Sequence, residues 1–178
     1  MGDDLAARLR GAIRDIPDFP KPGVLFRDVT TLLVQPALLR EATEALWRPF
    51  AGDRVTHIVA LEARGFIFGG AMAVERMLPL VIMRKPGKLP AAVHSEEYEL
   101  EYGNATLEVH RDALGAGDRA LVVDDVLATG GTAAAAGRLV NRCGAELIGC
   151  SFLAELDFLG GRSKLAGARL FSLLHYAD

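Results

Sequence analysis

Residues 120–132 read ALVVDDVLATGGT: an apolar run, two adjacent carboxylates, then a turn of threonine and glycine. The Ala-rich stretch from Thr132 to Cys143 follows at once and has the spacing of a helix. A strand that ends in acids and passes through glycines into a helix is a building unit of α/β proteins. In open α/β sheets, ligands sit beyond the carboxyl ends of the strands, so this junction predicts a site as well as a fold.

The rest of the chain alternates in the same way. His57–Leu61, Leu80–Met83, Ala120–Val123, Glu146–Leu153 and Arg169–Leu174 read as short apolar strands, and Phe66–Arg76 and Thr132–Cys143 as the helices between them. Upstream, Leu5, Leu9, Ala12 and Ile13 share one face of a helix over Asp3–Ile13, and IPDFPKPG then breaks it. A second helix follows Pro36 and closes near Pro49, with Trp47 packed in its core. Residues 84–106 are charged and aromatic without helical period, and Gly103-Asn104 marks a reverse turn. Glu96–Arg111 is therefore expected to be a hairpin projecting from the core. The pattern predicts an α/β fold, a mainly parallel twisted sheet with helices on both faces.

The junction has a chemical logic. Gly130 and Gly131 let the backbone bend close to an oxygen-rich ligand. Amides around Ala128, with the Thr129 and Thr132 hydroxyls and the positive end of the next helix, can surround a phosphate. Asp124 and Asp125 would repel that phosphate unless a sugar intervenes, and vicinal ribose hydroxyls can donate to both carboxylates. The plainer alternative is a helix cap beside a solvated acidic turn. No Lys follows the glycines and no G-x-G-x-x-G follows the strand, so neither a Walker loop nor a dinucleotide fingerprint is present.

VVDDVLATGGT resembles the phosphoribosyl-pyrophosphate signature of the type I phosphoribosyltransferases. The resemblance implies that Asp124 and Asp125 hold the ribose while Ala128, Thr129, Gly130, Gly131 and Thr132 hold its 5′-phosphate. LEARGF is similar to the family's pyrophosphate loop, which implies a role for Glu62, Ala63 and Arg64 and a cis bond between Glu62 and Ala63. Read alone, Glu62 and Arg64 are equally compatible with a surface ion pair. In MRKPGKLP, Arg84, Lys85 and Lys88 form either a solvated basic turn or a clamp on a departing diphosphate.

DFPKPGVLFRD and LEYGNATLEVHRDAL, in order with the other motifs, are similar to the adenine branch of the family, and the likeness runs along nearly the whole chain. It implies adenine pairing with the backbone of Leu25 and Arg27, Phe26 stacked on the purine, Glu101 in general acid–base work and Tyr102 closing over the sugar. As residues alone, Leu25 and Phe26 also read as core, and Glu101 and Tyr102 as plain hairpin positions. The implied whole is a single domain, 1–178, with an N-terminal hood at about 1–35 and a flexible β-hairpin flap at about 84–111. The expected substrates are adenine and 5-phosphoribosyl 1-pyrophosphate, the products AMP and pyrophosphate. Mg²⁺ is expected to be held mainly by substrate and water, with no direct protein ligand, and the assembly to be a homodimer. A 6-oxopurine transferase and a non-catalytic phosphoribosyl-pyrophosphate sensor remain open as alternatives.

Composition narrows the setting. A formal charge of -3 provides no basic field for nucleic acid or anionic lipid. Cys143 and Cys150 have neither disulfide-framework nor metal-ligand spacing and read as buried free thiols. The start MGDDLAARLR lacks a signal-peptide pattern, and no apolar run reaches the ~20 residues of a membrane span. A cytoplasmic address is expected. His57, His94, His110 and His175 form no metal-spaced pair and receive no catalytic role.

Overall fold

The computed structural model describes residues 2–99 and 103–177. Its centre is a five-stranded, wholly parallel sheet of β3 (His57–Leu61), β4 (Leu80–Met83), β7 (Arg119–Leu127), β8 (Glu146–Leu156) and β9 (Leu170–Tyr176), ordered β4-β3-β7-β8-β9. Alternate residues of these strands enter two separate clusters. Ile58, Leu121, Val123 and Leu153 face one way, towards α1 (Gly2–Ala12), α3 (Pro36–Trp47) and α4 (Gly65–Arg76). Val59, Leu61, Val122 and Phe152 face the other, towards α5 (Gly131–Arg142). Both faces are covered, which is why the strands read as unbroken apolar runs.

Three local features depart from the sequence reading. Beside the proline-rich stretch, β1 (Arg14–Ile16) and β2 (Phe26–Asp28) pair antiparallel, with Ile16 opposite Phe26, and α2 (Thr30–Leu33) follows. The β7 strand continues four residues past Val123, so both aspartates lie within it and not after it. The hairpin of β5 (Val93–Glu99) and β6 (Asn104–His110) starts before Glu96, and its base is anchored in the core: Leu107 and Val109 are buried, and Arg84 bridges to Glu108. Trp47 packs at the margin of the first cluster with the Arg76 guanidinium over its ring. Cys150 is buried, and burial pushes its thiol up to about 12; Cys143 is only half-buried.

The strand order fixes where a ligand can enter. From β3 the chain crosses through α4 to β4 on one side, and from β7 through α5 to β8 on the other. The winding reverses between β3 and β7, and a crevice opens beyond their carboxyl ends.

Candidate active site

Two strand-to-helix turns meet at that crevice. β7 pairs with β3 only as far as Ala60 opposite Val123; from Asp124 onward it pairs with β8 alone. The edge freed in this way faces the start of α4. A Cβ built on Gly65 would lie 2.6 Å from Asp124 Oδ1 and 3.0 Å from the Val123 carbonyl oxygen, so only glycine lets the acid sit there. The Asp125 backbone N–H donates to Asp124 Oδ1 at 2.9 Å, and Arg64 Nε donates to the nearly buried Asp125 carboxylate. Desolvation, then repulsion from Asp125, pushes the Asp124 carboxyl well above the usual carboxylate range. Two acids held this close call for hydroxyl donors or a cation between them and solvent.

The turn after β7 is built for close approach. Gly130 has φ +77 and caps α5, and a Cβ there would run into the backbone of Gly161. A Cβ on Gly131 would lie 2.8 Å from the Glu99 carbonyl oxygen and 3.0 Å from the Tyr98 ring, so the hairpin rests on the first turn of α5. Unpaired amides of that turn are the means by which a helix start holds an anion.

On the other wall, the Glu62–Ala63 peptide is cis. Glu62 does not pair with Arg64. It accepts from the Lys85 backbone N–H at 2.9 Å and from Arg84 at 3.3 and 3.4 Å. The Lys85 amide bond and then Arg84 outweigh burial and hold the Glu62 carboxyl below its ordinary range. Sequence reading left open an ion pair between Glu62 and Arg64. Each has instead found a partner on another element, Arg84 for one and Asp125 for the other.

The third wall comes from the N-terminal segment. Phe26 is half-buried, with its edge against Phe19 at 5.1 Å and the Arg64 guanidinium 5.7 Å from its ring. The Arg27 side chain turns away, paired with Asp15 at 2.5 Å and stacked 4.3 Å over Tyr176. Leu25 is 44% exposed. These residues are therefore cavity wall and not core.

The walls enclose a cavity of about 790 Å³. It draws together Leu25, Phe26, Arg27, Glu62, Arg64 and Lys85 from one side and Asp124, Asp125, Ala128 and Thr132 from the other. Ala63, Arg84, Lys88, Thr129, Gly130 and Gly131 are not on its lining: the glycines sit behind it, and exposed Lys88 lies on the rim loop. Glu101 and Tyr102 lie outside the described residues. Sequence reading missed Tyr98 and Asn104–Leu107, whose alternating pattern in β5 and β6 was a usable signal, and Ala154 and Leu156, which carried none.

Residues 28–164 match the family model of the phosphoribosyl transferase domain. An adenine phosphoribosyltransferase of Methylococcus capsulatus is 59% identical over 95% of this chain and 99% of its own. The crystal structure of the Rhodothermus marinus adenine phosphoribosyltransferase superposes with a TM-score of 0.93 at 48% identity, covering 98% of this chain and 99% of that one. That of the Saccharomyces cerevisiae enzyme, complexed with adenine and an imino-altritol bisphosphate, has a TM-score of 0.90 at 40% identity, covering 97% and 99%. With the switch-point crevice, the acid pair and the glycine turn all in place, these likenesses show that the chain belongs to the adenine phosphoribosyltransferases of the phosphoribosyl transferase domain family.

Proposed function

We propose that this chain transfers the 5-phosphoribosyl group from 5-phosphoribosyl 1-pyrophosphate to adenine, giving AMP and pyrophosphate in purine salvage. The observation that carries the reading is the meeting of Asp124, Asp125 and the 128–132 turn at the point where the sheet reverses its winding, in a chain 59% identical to a named adenine phosphoribosyltransferase.

We assign each group of residues one role. Amides of residues 128–132, the Thr129 and Thr132 hydroxyls and the α5 dipole receive the 5′-phosphate. Asp124 and Asp125 accept from the ribose hydroxyls, which relieves the repulsion between them. Backbone groups of Glu62 and Ala63 with the Arg64 and Lys85 side chains at the cavity, and Arg84 and Lys88 on the loop beside it, take the diphosphate. Arg64 rests on Asp125, so an arriving diphosphate competes for its guanidinium, and the exchange frees an Asp125 oxygen for the sugar. Phe26 stacks on adenine, and the backbone of Leu25 and Arg27 pairs with its edge. The C1′–O bond breaks with its electrons going to the diphosphate, and the N9 lone pair bonds to C1′. Glu101 takes the proton that adenine loses, and Tyr102 closes over the sugar. A held ribose, basic groups at the leaving oxygen and a covered cavity supply the catalysis.

Mg²⁺ belongs to this reading. Substrate oxygens and water would be its main ligands, and the crowded Asp124 and Asp125 carboxylates would reach it through that water. When bound, it offsets the charge of the diphosphate. A second copy of the chain is expected to cover the apolar stripe of Ile67 and Val74 on α4, Met77 at its C-terminal cap and Leu80 of the edge strand, exposed by 39, 77, 89 and 41%. Among the described residues no helix is long and apolar enough to cross a membrane, and we assign the enzyme to the cytoplasm.

Incubation with labelled donor, Mg²⁺ and each purine base in turn tests the reading. Product is expected with adenine alone. Product with hypoxanthine, guanine or xanthine instead would move the chain to the 6-oxopurine branch, and donor binding without turnover would make it a sensor.

A further inference from the structure

Behind the glycine turn stands a segment that the mechanism leaves unused. Asp157–Leu159 and Gly161–Leu165 are two short 3-10 helices joined at Gly160, whose φ is +62. Gly161 is buried against the turn: a Cβ on it would meet the Ala128 carbonyl oxygen and lie 2.7 Å from the Gly130 nitrogen. With Gly130 equally closed to a Cβ, two stretches of bare backbone press on each other there.

The next residue is tied down. Arg162 donates through Nε to Glu155 Oε1 at 3.0 Å and through a terminal nitrogen to Oε2 at 2.6 Å. Ser172 Oγ donates to Oε2 as well, at 2.6 Å. Glu155 is only 4% exposed and stands in β8 opposite Leu127, the last residue of β7 before the turn. Burial works to raise its carboxyl, but the bonds from Arg162 and Ser172 outweigh it and hold the group below its ordinary range. Only Glu155 is buried; the Arg162 side chain is 48% exposed, and an ion pair open to solvent on one side is a poor source of net stability, so geometry is the better reason for it.

We infer that the Glu155–Arg162 pair is a positioning device for the phosphate turn, clamping the Gly160–Gly161 backbone against Ala128 and Gly130. The inference rests on the reading of residues 128–132 as the 5′-phosphate site. Arg162 touches no substrate; it sets where the amides point. Lysine at this position keeps the charge but loses the two-pronged grip.

Ribose 5-phosphate and adenine binding, measured separately by calorimetry for wild type, Arg162→Ala, Arg162→Lys and Gly161→Ala, tests this. Displacing the amides should weaken ribose 5-phosphate by about tenfold or more in Arg162→Ala and Gly161→Ala, with adenine changed by no more than about twofold. Arg162→Lys should fall between. If Arg162→Ala does not fold, the lysine and Gly161 variants carry the comparison. Equal weakening of both ligands, or a lowered melting temperature with ribose 5-phosphate binding unchanged, would overturn the clamp. Wild-type turnover on the same preparation is a separate readout: its absence beside intact, Arg162-dependent ribose 5-phosphate binding sinks the transferase reading and leaves the clamp standing.

Discussion

Alanine at Gly65 should damage the acid pair far more than it damages the fold. The added Cβ would lie 2.6 Å from Asp124 Oδ1, where ordinary contact starts near 3.4 Å, a shortfall of 0.8 Å. The Val123 carbonyl oxygen at 3.0 Å and Asp124 Cα at 3.2 Å block any easy retreat, because both are main chain. Overpacking of this sort costs about 1–3 kcal/mol, and the better helix propensity of alanine returns up to about 1 kcal/mol. The net loss of stability is therefore about 0–3 kcal/mol, which leaves a domain with the usual ~5–15 kcal/mol folded. Activity is the sensitive quantity. A misplacement near 1 Å costs on the order of 10²-fold, so kcat/KM should fall by about 30- to 100-fold. Gly70, in the same helix with nothing within 4 Å of its would-be Cβ, is the control. Its alanine variant should keep full activity and match or exceed wild-type stability. Urea unfolding and steady-state kinetics on the two variants read both effects. Gly65→Ala with kcat/KM within twofold of wild type would refute the argument that this glycine exists to seat Asp124.

Other consequences follow from single residues. Asp125→Asn should cut turnover by about 10²-fold or more with the fold retained, and near-normal turnover would remove the acid pair from the mechanism. Phe26→Ala should raise KM for adenine well above any change in KM for the donor; matched increases would return this ring to a packing role. Desolvation and Asp125 hold the Asp124 carboxyl well above its unfolded value, so its ionised form costs stability at neutral pH. Asp124→Asn should accordingly raise the urea midpoint at pH 7 while abolishing turnover, and a lowered midpoint would contradict that sign. Asp28 is the opposite case: the Thr30 hydroxyl, then Arg14 and the Thr30 amide, hold its carboxyl down at about 2. Its contribution is present above the unfolded carboxylate range and fades as pH drops towards about 2. The stability gap between wild type and Asp28→Asn should therefore narrow from pH 5 downward, and a constant gap would assign the effect to packing.

The central sheet was legible because its inner strands β3, β7 and β8 are largely buried on both faces and leave apolar runs in the sequence. The glycine turn was legible for a similar reason, since its chemistry lies within a few consecutive residues. Partners distant in sequence were not. Arg64 and Asp125 are 61 residues apart, and nothing local to LEARGF tells a guanidinium that rests on an aspartate from one that waits for diphosphate. The short strands RDI and FRD escaped because three mostly charged residues have no alternation to detect. Gly160-Gly161 escaped because its purpose is to let one backbone approach another, and a tertiary contact of that kind has no signature along the chain. The end of β7 was drawn too early because acids were read as leaving the strand, whereas pairing with β8 carries them within it.

The most direct measurement is a crystal structure with AMP bound. The nucleotide's phosphoryl oxygens should lie within hydrogen-bond reach of the amides after Ala128, its two sugar hydroxyls on Asp124 and Asp125, and the purine against Phe26. AMP lodged elsewhere, with those amides bonded only to protein and the carboxylates still facing Arg64, would contradict it.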